Sequence, residues 1–215
     1  MKPSMRNFPQ RCQHMRGSIW PSVLLACTLL TAFYPGETSL EIGAPIPSAD
    51  VKLPDISGRE ISLNGARGSN GLLVMFAGNH CPYIQRNQAR TVAVCRYALK
   101  HEIGVILVNS NTTLHDGEES LAAMKAYAAS QQYSWFYVMD KKAVIAAAFD
   151  AGHIPECYLF DRNGRLAYKG AIDDSPGNAA AVKTQHLHNA INEMLAGQPV
   201  KVHTTSALGC NIKRF

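Results

Sequence analysis

Two uninterrupted apolar runs, Leu72–Phe76 and Ile103–Val108, bracket a segment in which Ile84, Gln88, Val92, Cys95 and Leu99 recur at helical spacing. A strand with no polar alternation is covered on both faces, as strands of parallel sheets are. A strand, a helix over 82–100 and a second strand therefore predict a parallel crossover unit. Short strands at Val51–Leu53 and Arg59–Leu63 form an N-terminal extension around the Ile56-Ser57-Gly58 turn. Helices are expected over Gly117–Gln131, Lys141–Phe149 and Val182–Leu195, and strands over Trp135–Val138, Glu156–Phe160 and Leu166–Lys169. Asp161-Arg162-Asn163-Gly164 makes the turn of a final antiparallel hairpin. The fold class is α/β, a central mixed sheet flanked by helices, ending in a coil tail after Gly197.

The chain of 215 residues is 47% hydrophobic, enough for one sizeable core. Its formal charge of +5 is concentrated at the start, where Lys2, Arg6, Arg11 and Arg16 precede the first acid, Glu37. Beyond that point the charges nearly cancel, and no basic face remains to displace counterions from a phosphate backbone; nucleic acid is not an expected partner. The basic start leads into an apolar run from Ser18 to Tyr34 that ends at Pro35-Gly36. Residues 1–36 thus read as an export signal, with a membrane anchor or lipid attachment at Cys27 as alternatives, and a buried N-terminal helix as a third. The expected division is 1–36 for targeting, 43–197 for the folded domain and 198–215 for a tail packing near the active site. Export would place the domain in the periplasm or cell envelope, where thiols meet an oxidising environment.

Cys12 and Cys27 belong to the targeting segment, which leaves Cys81, Cys95, Cys157 and Cys210, at spacings of 14, 62 and 53 residues that match no zinc-finger pattern. Cys81 follows a buried strand and precedes Pro82 at the first turn of a helix, where a missing N–H costs nothing. Unpaired amides and the helix dipole favour an anion there, so Cys81 is expected to ionise more readily than a free cysteine. His80, Arg86 and Arg90 are nearby sources of positive charge.

FAGNHCPYI, LVNSNTT, AGHIPECYLFD, YKGAIDDS and the terminal LGCNIK, taken in order, resemble the thioredoxin superfamily, and within it a peroxiredoxin-like, AhpC/TSA-type redoxin branch with NHCP and C-terminal GCxIK motifs. The resemblance covers residues 43–215. It implies a thioredoxin-like fold, Cys81 in the place of the first cysteine of CxxC, and Ile154-Pro155 as an adjacent loop with a cis proline. The departures are informative. Thioredoxin's second cysteine would stand at Ile84, and a peroxiredoxin would carry its peroxidatic cysteine there, with threonine at Cys81 and proline at Ala77. A single reactive thiol remains, able to attack a disulfide or to be oxidised to a sulfenic acid.

Cys210 is the best internal candidate to resolve either product, since about 13 residues of coil from Gly197 span up to ~40 Å; a buried tail anchor is the bland alternative. Cys157, two residues beyond Pro155, either faces the same site or is a core cysteine, and Cys95 lies on the apolar face of its helix. His80, Pro82, Ile154, Pro155 and Cys157 are the expected neighbours of the catalytic pair Cys81 and Cys210. Cys81, His80 and His153 form a weak metal set, suited to copper or zinc. Asn109 and Asn111 end a sheet strand where ligand-facing loops lie, and they either line the pocket or cap the turn. Asp173-Asp174 reads as a solvated pair in a turn, and His186 and His188 as solvated surface. There is neither a glycine-rich phosphate loop nor HExxH, and no cofactor is needed. The expected function is thiol-disulfide exchange with protein or small-molecule partners and an external thiol reductant, with peroxide reduction and metal delivery as alternatives.

Overall fold

The computed structural model describes residues 39–214, so the expectations for residues 1–36, Cys12 and Cys27 lie outside the described residues. The strands are β1 (Leu53–Pro54), β2 (Glu60–Ile61), β3 (Gly71–Phe76), β4 (Ile103–Asn109), β5 (Phe136–Met139), β6 (His153–Ile154), β7 (Glu156–Phe160), β8 (Leu166–Gly170) and β9 (Cys210–Asn211). The helices are α1 (Pro82–Lys100), α2 (Leu121–Ser130), α3 (Val144–Phe149) and α4 (His186–Leu195). Five strands form the central sheet in the order β5-β4-β3-β7-β8. β3, β4 and β5 run parallel, while β7 is antiparallel to β3 and β8 to β7. This is the predicted mixed sheet, and β3 and β4 are buried along their whole length, as their unbroken apolar runs require.

α1 spans the expected residues 82–100, whereas α2, α3 and α4 start later than periodicity alone predicts, for reasons of capping. Ser120 caps α2 by accepting from the Ala123 amide at 3.3 Å, which leaves residues 117–120 in a turn. The Asp140 carboxylate accepts from the amides of Val144, Ile145 and Ala146 at 2.9–3.1 Å and so sets the start of α3. Before α4, Lys183 donates its amide to the Asp174 carboxylate at 3.0 Å, which holds residues 182–185 in coil. The N-terminal strands shrink to two residues each, and Trp135 falls outside β5.

α1 and α4 pack on each other and on the sheet, and a cluster of aromatic rings sits within a largely aliphatic core. Phe149 of α3 meets Phe76, Tyr158 and Phe160 edge to face at 5.0–5.9 Å. The hairpin between β7 and β8 turns where expected: the Asp161 carboxylate accepts from the Asn163 and Arg165 amides at 2.8 Å.

Two polar expectations are corrected by packing. Asp173 is buried and pairs with Arg90 of α1, Nε to Oδ2 at 3.0 Å. Arg90 also donates to the Ser175 and Pro176 carbonyls, so its charge is committed away from Cys81. Only Asp174 is exposed; the amides of Lys183 and Thr184 hold its carboxyl below the usual carboxylate range. His188 is half-buried against Tyr97, ring centroids 4.4 Å apart, rather than solvated.

Candidate functional site

β3 ends at Phe76, and the next five residues run across the carboxyl edge of the sheet to α1. Cys81 is the N-cap of α1, with extended backbone, and Pro82 occupies the first helical turn. The amides of that turn have no helical acceptor, and no acidic residue lies within it. Cys81 itself is buried, with its Sγ 3.5 Å from the Ile154 carbonyl oxygen. The Ile154-Pro155 bond is cis, as the resemblance implied.

Cys81 and Cys210 are joined in a disulfide across 129 residues, with Cα atoms 6.1 Å apart. The tail around Cys210 is not coil. β9 pairs antiparallel with β6, so that Cys210 lies opposite Ile154 and Asn211 opposite His153. The Ile212 amide adds a bond to the Gly152 carbonyl at 2.9 Å. Gly209 makes this pairing possible, since a Cβ there would lie 2.1 Å from the Ile154 carbonyl oxygen. Farther along, Lys213 donates its amide to Asn111 Oδ1 at 3.0 Å, and Arg214 reaches the Ala151 carbonyl.

Sequence reasoning missed the polar centre beside this junction. Glu119, fully buried, accepts from the Asn79 amide at 2.9 Å, the His80 amide at 3.3 Å, Asn109 Nδ2 at 2.5 Å and Asn111 Nδ2 at 3.4 Å. Asn79 is further held by Tyr137, whose hydroxyl donates to its Oδ1 at 3.0 Å. Asn109 and Asn111, open between pocket and cap on the sequence, are ligands of this carboxylate. Gly78 leaves the necessary room, because a Cβ there would come within 2.7–3.0 Å of Asn111, Glu119 and Ile154. The signal that could have found Glu119 is Ser120: read as an N-cap, it places Glu119 outside the helix and free to turn inward.

The other expected residues are distributed unevenly. The His80 ring is half-exposed, 3.7 Å from Glu118, and Arg86 sits over the Tyr83 ring at 5.9 Å. His153 is carried by β6, its amide bound to the Glu156 carboxylate at 3.1 Å. Among the described residues, no group of three His, Cys, Asp or Glu side chains is arranged to hold a metal ion. Cys157 is a free, fully buried thiol opposite Met75 within the sheet, and Cys95 is likewise free and buried.

Burial pushes the Cys95 and Cys157 thiols far above their ordinary value of 9.0. Both stay protonated in the folded chain at a pH where the unfolded chain ionises. Their contribution to stability is therefore complete below pH 9 and declines above it, by about 1.4 kcal/mol per pH unit for each thiol. Urea midpoints measured from pH 8 to 10 should fall, and Cys95→Ala should flatten that slope by one thiol's share; an unchanged slope would contradict the assignment.

Comparison with known proteins agrees with this architecture. The AhpC/TSA family model matches residues 42–169. The thiol-disulfide oxidoreductase ResA of Geobacillus kaustophilus is 27% identical over 147 residues, 67% of this chain and 79% of that protein. A solved structure of a hypothetical protein from Sinorhizobium meliloti 1021 is 31% identical with a TM-score of 0.75, covering 83% of this chain and 97% of its own. The thioredoxin domain of a thiol-disulfide oxidoreductase from Bacteroides vulgatus shares the fold, with a TM-score of 0.52 at 19% identity over 66% of this chain and 96% of that one. With the family model spanning more than half of its length and the sheet order in place, the chain belongs to the AhpC/TSA family and is a redoxin enzyme of the thioredoxin superfamily.

Proposed function

We propose that this chain is a thiol-disulfide oxidoreductase whose redox pair is Cys81 and Cys210, acting outside the cytoplasm. The observation that carries the reading is the bond between these two cysteines at the N-terminus of α1, beside the Ile154-Pro155 loop. The names of the ResA relatives support the reaction class. The export expectation rests on the composition of residues 1–36 alone.

In the reduced protein the Cys81 thiolate attacks one sulfur of a substrate disulfide and releases the other as a thiolate. The Cys210 thiolate then attacks Cys81 Sγ, which frees the second substrate sulfur and leaves the Cys81–Cys210 bond. The substrate has gained the two electrons that the pair has lost. An external dithiol returns them by the same exchange in reverse. The helix terminus stabilises the Cys81 thiolate both as attacking group and as leaving group.

The first test is peptide mapping of the purified protein after mild oxidation, with free thiols alkylated before digestion. The expected result is a reducible peptide joining Cys81 to Cys210, with Cys95 and Cys157 recovered as thiols. Recovery of Cys81 free or as an external adduct only would overturn the pairing. Selective consumption of hydroperoxide by Cys81, without disulfide reductase activity, would replace exchange by peroxide reduction, with Cys210 resolving a sulfenic acid and releasing water.

A further inference from the structure

We propose that Glu119 and Asn111 form a bridge that holds the two halves of the redox pair in register and so sets how strongly the Cys81–Cys210 bond is favoured. The inference rests on reading these cysteines as a redox pair. On one side, Glu119 fixes the segment that carries Cys81, through the amides of Asn79 and His80, the two residues immediately before it. On the other, Asn111 donates through Nδ2 to Glu119 and accepts through Oδ1 from the Lys213 amide, three residues beyond Cys210. The Lys213 carbonyl in turn accepts from the Thr113 amide and the Thr112 hydroxyl, both at 3.4 Å. The two cysteines, 129 residues apart in sequence, thus share one anchor in the loop after β4.

The chemistry of the carboxylate matters. Four donors converge on its two oxygens, and a glutamine would offer one oxygen and turn its own NH2 toward the remaining donors. Asn111 serves as the relay because an amide both donates and accepts. Cutting the bridge leaves both sulfurs present and chemically competent but lowers the effective concentration of one at the other. Glu119 and Asn111 are positioning residues in this scheme.

The test measures the equilibrium of the full-length protein with glutathione buffers. Forming the bond oxidises two cysteine thiols and reduces one glutathione disulfide to two glutathione thiols, so the trapped ratio of forms gives an equilibrium constant. Glu119→Gln and Asn111→Ala should each lower it at least tenfold. The double variant should fall little further, because both cut the same link. Lys213→Pro removes the tail's amide donor at an exposed position and leaves the buried carboxylate untouched; it should lower the constant severalfold and carries the test if the buried variants fail to fold. A general loss of stability would move the melting temperature of oxidised and reduced protein together and leave this constant where it was. Unchanged constants in folded variants would overturn the bridge, whereas absence of the Cys81–Cys210 bond in the unaltered protein would overturn the redox-pair reading itself.

Discussion

Cys81→Ser is expected to reduce disulfide-exchange turnover about 10³-fold or more, because a serine hydroxyl neither ionises near neutral pH nor forms a mixed disulfide. Cys210→Ser should behave differently. Its Cys81 thiolate still attacks the substrate, but no internal thiol follows, so the mixed disulfide accumulates and appears as a mass adduct on Cys81. Cys95→Ser should leave turnover within about twofold while lowering stability by roughly 1–3 kcal/mol, since it buries a hydroxyl where the helix supplies no designed partner. Steady-state assays with intact-mass spectrometry of the three variants separate these roles. Equal activity of Cys81→Ser and Cys95→Ser would remove the nucleophile from the mechanism.

The second large effect is expected at a residue with no chemistry of its own. In Gly209→Ala the added methyl would overlap the Ile154 carbonyl, which belongs to the backbone and cannot swing aside. The tail must then leave β6, taking Cys210 away from the cysteine it pairs with. The domain core does not involve this residue, so the reduced variant should melt close to the unaltered protein. Formation of the Cys81–Cys210 bond in glutathione buffer should drop by about two orders of magnitude, on the scale of effective-concentration losses. Limited proteolysis should cleave the tail of the variant faster under oxidising conditions. Wild-type bond formation in Gly209→Ala would show that the pair forms without the docked strand.

What could be read from the residues follows their periodicity. β3, α1 and β4 are legible because unbroken apolar runs and a 3.6-residue repeat extend over many positions, and Cys81 is legible because it stands where they join. β6 and β9 are two residues each and have no period to detect. Glu119 lies in a short polar turn, and its amide donors are 39 and 40 positions away in the chain, so only the fold reveals what it holds. Asp173 and Asp174 are indistinguishable in sequence; the turn points one into α1's Arg90 and the other to solvent. Cys157 sits two residues beyond Pro155, and only the sheet register shows it as a free, fully buried thiol between Met75 and Gly170.

The span between the bonded cysteines also bears on how long such a molecule survives. A cross-link closing 129 residues restricts the unfolded chain enough to be worth about 5 kcal/mol in the loop-entropy model. The oxidised form is therefore the durable one, and reduction exposes the same polypeptide to unfolding and to proteases. With Cys81 and Cys210 cycling as proposed, the enzyme would open this loop once in every turnover and spend part of each in its most perishable state. Its lifetime would then follow the supply of reductant as closely as its activity does.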